Sequence, residues 1–311
     1  MFASTASISL LKKRAQLLQH LRAFFYARNV LEVDVPSLGA FTVTDPNLDA
    51  ISCQVGSNIR YLQTSPEFFM KRLLAMGSGD IFYLGKAYRQ DEQGRRHRPE
   101  FTLLEWYREG FTDEDLIAET LALLSELSPG TPIQRIDYGA LFSECTGLNP
   151  HRACAEELET FARARLQVDF SNEPVHFWLD LIFSYLVEPN LADGLVVVED
   201  YPLCQAALAR VMPNRRGDKV AKRFEIFWDR LELANGYWEL TDACEQARRF
   251  AADNLSRQTQ HKPLIEPDNR LLAALAEGIP DCAGIALGVD RLLMRLSGCD
   301  DIAQVMPFAD A

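Results

Sequence analysis

Apolar residues recur at helical spacing near the start of the chain. Leu10, Leu17, Leu18, Leu21, Phe24 and Phe25 would form one stripe, which predicts an amphipathic helix over 8–28. The alternation in "VLEVDVPSL" (30–38) predicts a strand, with Pro36 at a sheet edge or a strand end. Two apolar runs, "DIFYLGKAYR" and "EFTLLEWYRE", flank a charged stretch over 90–100 and predict a pair of antiparallel strands joined by it. A helix is predicted over 112–127, with Thr112 and Asp115 as a capping box. Further helices are predicted near 155–165 and 174–187, and "GLVVVEDYP" predicts a strand. "RFEIFWDRLELANGYWEL" predicts a hairpin turning at Asn235-Gly236, with a helix following over about 241–257. "GIALGVDRLLMRL" reads as a glycine-bearing strand running into a helix. Hairpins dominate and regular strand–helix alternation is absent. The expected fold class is α+β, a mainly antiparallel sheet flanked by helices.

Composition narrows the classes of function. The 311 residues are 48% hydrophobic and 24% charged, with a formal net charge of −12. An acidic chain lacks the broad basic face that wholesale nucleic-acid binding needs, but one local anion site remains open to it. The N-terminal basic residues follow a short apolar run, so no secretory signal is expected, and no apolar run has membrane-spanning length. The seven cysteines are odd in number and form no CxxC pair, which fits free thiols in a reducing cytoplasm and no zinc site.

Three constellations carry candidate chemistry. In "YRQDEQGRRHRPEFTLLEWY" (88–107), basic residues crowd one loop, and Phe101, Leu103, Glu105 and Tyr107 share one strand face by period two. The stretch is either a solvated hairpin tip or a polyphosphate site with Phe101 stacked on a base. A turn at Asn235-Gly236 would set Glu232 opposite Glu239. Like charges so placed are bridged by a divalent cation such as Mg²⁺, or they simply face water, or a wider loop breaks this register. In "GIALGVDR" (284–291), glycines would let a flat ligand lie on the backbone within reach of Arg291, or they simply serve packing.

"VLEVDVPSL", "YRQDEQGRRHRPEFTLLEWY" and "GIALGVDR" resemble, in that order, motifs 1, 2 and 3 of the class II aminoacyl-tRNA synthetases. "TSPEFFMKRLL" (64–74) and "LELANGYWELTDACEQARRF" (231–250) narrow the resemblance to the lysyl-tRNA synthetase branch. That branch carries an anticodon-binding domain before motif 1, and here the first helix leads straight into motif 1. The chain is therefore similar to the elongation factor P–(R)-β-lysine ligase family, whose members join a lysine-type residue to a lysine side chain of elongation factor P. The resemblance implies one class II catalytic domain over 1–311, with no anticodon-binding domain. It implies ATP as co-substrate, Mg²⁺, a homodimer built through motif 1, cytoplasmic location, and neither tRNA nor membrane as partner.

The resemblance also implies roles for residues. Arg89 would hold the α-phosphate of ATP. His97 and Arg98 would hold the outer phosphates. Phe101 would stack on adenine with Arg291 on the other face, and Gln90, Asp91, Leu233 and Gly288 would complete the ATP contacts. Glu232 and Glu239 would hold Mg²⁺, with Glu239 also near the amino acid. Ser65, Pro66, Glu67, Glu105, Tyr107 and Ala286 would line the pocket for lysine or β-lysine, whose two ammonium groups suit its carboxylates. Three departures stand out. The motif 2 opening R-x-E is Arg89-Gln90-Asp91 here, "HNPEF" is "HRPEF" with Arg98 in place of an amide, and Ala286 replaces a glycine of the motif 3 strand. The expected activity is adenylate formation from a lysine-type amino acid followed by transfer to a protein lysine. The alternatives are a truncated synthetase that charges tRNA and a non-catalytic synthetase-like regulatory subunit. The latter predicts loss of the ATP-site residues, yet Arg89, Phe101, Glu232, Glu239 and Arg291 are all present.

Overall fold

The first helix, α1 (Ile8–Tyr26), begins at Ser7, whose hydroxyl accepts the Leu10 N–H. Its predicted stripe is the buried face, and Phe25 stacks on Phe82 at 4.8 Å and tilts against Trp106 at 5.1 Å. Aromatic contact thus fastens the helix to the sheet behind it. The structure is a computed structural model that describes residues 4–90 and 92–309. It divides into two compact units, one formed by the chain up to Ser128 and again from Thr241, the other by Pro129–Leu240.

In the first unit the strand expected over 30–38 is not continuous. Only β1 (Leu31–Glu32) and β2 (Leu38–Gly39) pair, and they join different sheets. Pro36 lies between them, where its missing N–H would have interrupted a ladder. β3 (Ser52–Val55) and β4 (Asn58–Leu62) form a hairpin that β2 extends into a small sheet. After α2 (Glu67–Ala75) come β5 (Ile81–Tyr88) and β6 (Glu100–Glu109), paired antiparallel from Ile81–Tyr107 to Tyr88–Glu100. The basic stretch connects them, as expected. α3 (Asp113–Leu127) carries the predicted capping box, with Thr112 and Asp115 each accepting the other's backbone N–H.

The second unit contains β7 (Ile133–Asp137), α4 (Tyr138–Thr146), α5 (Ala155–Leu166), α6 (Val175–Ile182), β8 (Leu195–Pro202), β9 (Val211–Pro213), β10 (Lys219–Trp228) and β11 (Leu231–Trp238). Its strand order is β11-β10-β8-β7, with β9 beside β10. The β7–β8 pair is parallel, which demands a long crossover, and α4 to α6 supply it. Tyr138, Phe142, Trp178, Ile182, Val198 and Phe227 pack between these helices and the sheet. The helix expected over 174–187 widens to π geometry at Phe183–Val187.

The predicted hairpin exists, but its turn is elsewhere. It lies at Asp229-Arg230, both with positive φ (44° and 66°), and joins Trp228 to Leu231. Asp229 holds the turn by exchanging two hydrogen bonds with Gly194, one through its carboxylate at 2.7 Å and one through its N–H at 2.9 Å. Asn235-Gly236 sits inside β11 instead. Gly236 lies opposite Phe224, and a Cβ there would come within 2.4 Å of that ring. The glycine that suggested a turn is required by packing.

The chain then returns to the first unit through α7 (Ala243–Thr259), α8 (Asn269–Glu277), β12 (Cys282–Gly288) and α9 (Val289–Ser297). β12 pairs antiparallel with β6, so this sheet runs β1-β5-β6-β12. The expected class, α+β with mainly antiparallel sheet, is what the strands form, with β1–β5 and β7–β8 paired parallel. Among the described residues no helix is long and apolar enough to cross a membrane.

Gly236→Ala tests the reassigned turn. Forcing a methyl against the buried Phe224 ring should cost about 1–3 kcal/mol of stability. Urea unfolding of the variant and the wild type measures it, and equal midpoints would show that Gly236 is not a packing requirement.

Candidate active site

In the first unit β6 presents Glu105 and Tyr107 on one face. Glu105 is only 2% exposed, yet both carboxylate oxygens accept hydrogen bonds, from Ser65 Oγ at 2.7 Å and from the Tyr107 hydroxyl at 2.9 Å. Ser65 is presented by the turn before α2, where its Oγ also accepts the Glu67 N–H at 3.1 Å and Pro66 occupies the N-cap. Glu67 opens α2 and accepts from buried Lys71 Nζ, one turn on, at 2.8 Å. Ala286 lies directly opposite Glu105 across the β12–β6 ladder. Ser65, Pro66, Glu67, Glu105, Tyr107 and Ala286 are thus gathered as the sequence suggested. Ser65 and Glu67 also line a recess with Gln63, Phe69, Phe41 and Arg270.

The basic loop is folded back on itself. Gly94 and His97 exchange backbone hydrogen bonds, and the Arg95 carbonyl accepts the Ile302 N–H at 2.9 Å. Arg291, in the first turn of α9, donates to the Arg96 carbonyl at 3.3 Å and meets His97 Nε2 through its guanidinium. Arg89 lies over the Phe101 ring at 5.1 Å and pairs with Glu92 at 3.3 Å. Arg89, His97, Phe101 and Arg291 therefore share one end of the β5–β6 hairpin. Arg98 does not point outward with them. Its guanidinium donates to the carbonyls of Gly94 and His97 and lies 3.6 Å from Asp301. The Gln90 N–H donates to the Asp49 carbonyl at 2.8 Å. Gly288 caps α9, and a Cβ there would only touch the Arg291 side chain. Asp91 lies outside the described residues.

No local pattern of residues hints at what holds motifs 2 and 3 together. Asp290 is 2% exposed and accepts from Arg14 Nη1 at 2.5 Å and from the Thr102 N–H at 2.6 Å. Arg14 also donates to Thr102 Oγ1 at 2.6 Å. One carboxylate thereby ties α1, the residue after Phe101 and the residue before Arg291.

In the second unit the relocated turn changes the carboxylate pair. Glu232 and Glu239 belong to one strand and its extension, so they do not oppose each other across a hairpin as the sequence suggested. Glu232 lies opposite Phe227, and a bulge beside it, which leaves buried Leu233 without a partner on β10, sets Glu225 opposite Asn235. Glu225 and Phe227 are two residues apart on β10, so Glu225 and Glu232 fall on the same face. The Glu225 carboxyl is raised to about 7, and burial is the main cause. Arg223, 2.5 Å away, pulls it back, and the Glu232 charge raises it further. Arg223 is fixed in turn by Asn235 Oδ1 at 3.1 Å and the Gln205 carbonyl at 3.0 Å, over the Tyr201 ring. Glu239 is 1% exposed, and its backbone carbonyl accepts from Arg210. Glu225, Arg223 and Asn235 were missed because the two-residue pairing rule fails at a bulge that the sequence does not announce.

A model of the class II tRNA synthetases of the D, K and N group matches residues 2–311. The chain belongs to that family, and within it to the group of ligases to which its relatives belong. An elongation factor P–(R)-β-lysine ligase of Pseudoalteromonas translucida (strain TAC 125) is 43% identical over 99% of this chain and 97% of its own. Proteins of the same name from Haemophilus influenzae (strain PittGG) and Pasteurella multocida (strain Pm70) are each 43% identical over 98% of this chain and 96% of theirs.

Replacing Arg14 by Met would leave Asp290 buried with one backbone donor. Stripping one partner from such a pair should cost about 3–5 kcal/mol. Denaturant unfolding reads this directly, and a loss below about 1 kcal/mol, the worth of an exposed pair, would mean that Asp290 is not held as described.

Proposed function

We propose that the protein is an ATP-dependent, AMP-forming ligase that activates (R)-β-lysine and transfers it to a lysine side chain of elongation factor P. The observation that carries the reading is Glu105, a buried carboxylate oriented by Ser65 and Tyr107, in a chain that aligns almost end to end with ligases of that name. In this reading Glu105 and Glu67 receive the two ammonium groups of the amino acid, with Ser65, Pro66, Tyr107 and Ala286 shaping its pocket. Its carboxylate oxygen attacks the α-phosphorus of ATP, the bond to the bridging oxygen breaks, and pyrophosphate leaves. Arg89 would hold the α-phosphate and offset charge that develops on it. Phe101 and Arg291 would clasp the adenine, His97 and Arg98 would meet the outer phosphates, and Gln90, Leu233 and Gly288 would line the nucleotide. The neutral amine of the acceptor lysine then attacks the adenylate carbonyl, forming an amide and releasing AMP.

Mg²⁺ supplies charge neutralisation on phosphate oxygens when bound. Glu232 and Glu239 would hold it, from one strand and its extension and not from opposite sides of a hairpin turn. The reading includes a cytoplasmic homodimer built on the segment of motif 1, where Tyr26, Leu31 and Leu38 expose apolar surface.

The test is ATP–pyrophosphate exchange with (R)-β-lysine, α-lysine and other amino acids, followed by transfer to purified elongation factor P or to tRNA-Lys. Exchange should be best with (R)-β-lysine, and transfer to the protein should far exceed tRNA charging. Equal or faster tRNA charging would point to a tRNA synthetase, and exchange with no amino acid would point to a non-catalytic relative.

Ala286 bears on the choice of isomer. Its methyl stands opposite Glu105 on the neighbouring strand, where it would crowd an α-ammonium more than a β-ammonium. Discrimination of this size is worth roughly 10–200-fold. Ala286→Gly should therefore improve exchange with α-lysine relative to β-lysine, and an unchanged ratio would remove Ala286 as its source.

A further inference from the structure

We propose that Asp49, clamped by Arg257 and Lys262, is a positioning residue that fixes the start of the basic loop for ATP. The inference rests on the ligase reading above. All its parts lie in the first unit.

The loop before β3 would have little to hold it by itself, since it forms no ladder between residues 40 and 51. Its stiffness comes from α7 and the residues after it. Arg257, 3% exposed near the end of α7, donates to three oxygens: the Asp45 carbonyl at 2.9 Å, Asp49 Oδ1 at 2.9 Å and the Pro263 carbonyl at 2.8 Å. Lys262 donates to the other oxygen of Asp49 at 2.8 Å and to the Pro46 carbonyl at 2.6 Å. One turn earlier on α7, Asp253 accepts from buried Thr44 Oγ1 at 2.5 Å. Asn254 pins the following segment by exchanging two hydrogen bonds with Ile265. The loop over 44–49 is thus bonded at Thr44, Asp45, Pro46 and Asp49. The Asp49 carboxyl is held below its usual range. Burial opposes the charge, but the hydrogen bonds and charges of Lys262 and Arg257 outweigh it.

What this framework supports is one backbone bond. The Asp49 carbonyl accepts the Gln90 N–H at 2.8 Å, immediately after β5 ends. Arg89, on the other side of that peptide, donates its own N–H to the Pro99 carbonyl at 2.9 Å. The two bonds hold the successive peptide units on either side of the Arg89 Cα. Arg89 reaches Phe101 and Glu92 from between them, so a tilt of the second unit carries the guanidinium with it. The residues assigned to the amino acid hang from α2, β6 and β12 and do not share this support. Loss of the clamp should therefore be felt by ATP and not by the amino acid.

The experiment uses the whole chain with Asp49→Asn, which keeps the shape and one acceptor but removes the charge both cations hold, and Arg257→Lys, which keeps charge but cannot reach three oxygens. ATP–pyrophosphate exchange is measured against ATP and against (R)-β-lysine, with hydrogen exchange at the segment containing Gln90 as a readout independent of activity. Misplacement of a phosphate ligand by a fraction of an ångström should lower kcat/KM for ATP by about ten- to a hundredfold. The KM for the amino acid should stay within about twofold, because its pocket residues are anchored elsewhere. The Gln90 segment should exchange faster in both variants, with near-ultraviolet circular dichroism unchanged. Wild-type kcat/KM for ATP in Asp49→Asn, or equal losses for ATP and the amino acid, would overturn the positioning role while leaving the ligase reading intact. Absence of exchange in the wild type with every amino acid would overturn the ligase reading itself, and this role with it.

Discussion

A carboxylate taken out of water is costly unless it is paired and hydrogen-bonded, and Asp290 has a donor on each oxygen, from two distant parts of the chain. Arg14 comes from α1 and the Thr102 N–H from β6, while Asp290 itself sits in the first turn of α9. None of the three can move alone without stranding a buried charge. The residues on either side of this lock, Phe101 next to Thr102 and Arg291 next to Asp290, are those with exposed chemistry to offer. Their spacing is set by a group that touches neither.

The same device recurs at smaller scale through the first unit. Glu105 is satisfied by Ser65 and Tyr107, and Lys71 by Glu67. In each case the partner that fixes a polar side chain is itself fixed by a hydrogen bond or a helix terminus. The second unit builds its polar cluster around Arg223, whose guanidinium joins Glu225, Asn235 and a loop carbonyl over the Tyr201 ring. There the cation is the hub and carboxylates surround it.

Much of the first unit was legible because its signals are local. The 3.6-residue stripe of α1, the Thr112–Asp115 box and the two apolar runs around the basic loop each fix an element within about twenty residues of sequence. The shared face of Glu105 and Tyr107 followed from period two along β6, whereas the places of Ser65, Pro66, Glu67 and Ala286 rested on the family resemblance. The second unit was misread at one point with wide effect. Asn235-Gly236 is a strong turn signal, but Gly236 answers to the Phe224 ring, while the actual turn uses Asp229 and Arg230, neither a glycine. Asp229 is affordable at positive φ because its carboxylate binds the Gly194 N–H, a contact thirty-five residues away in sequence. The bulge at Leu233 then shifted Glu225 into register with Asn235. Buried long-range pairs, such as Asp290 with Arg14 or Asp49 with Arg257, leave no periodic trace at all.

The basic loop raises a last point about charge. An acidic chain that gathers arginines must keep them from binding any passing anion, and this loop does so by engaging them internally. Arg98 is turned onto its own carbonyls and toward Asp301, and Arg89 rests between Phe101 and Glu92. The Arg89–Glu92 pair is about a third exposed on each side, 29% and 28%, and ion pairs of that exposure are worth about 1 kcal/mol or less. A nucleotide offering several phosphate oxygens at once can displace such contacts, since charge-assisted bonds to phosphate are individually stronger than a screened surface pair. A monovalent anion cannot engage the loop at several points and gains little by breaking one. Selectivity for a polyphosphate thus needs no strongly positive surface. It needs arginines held weakly by partners that only a multiply charged ligand outcompetes.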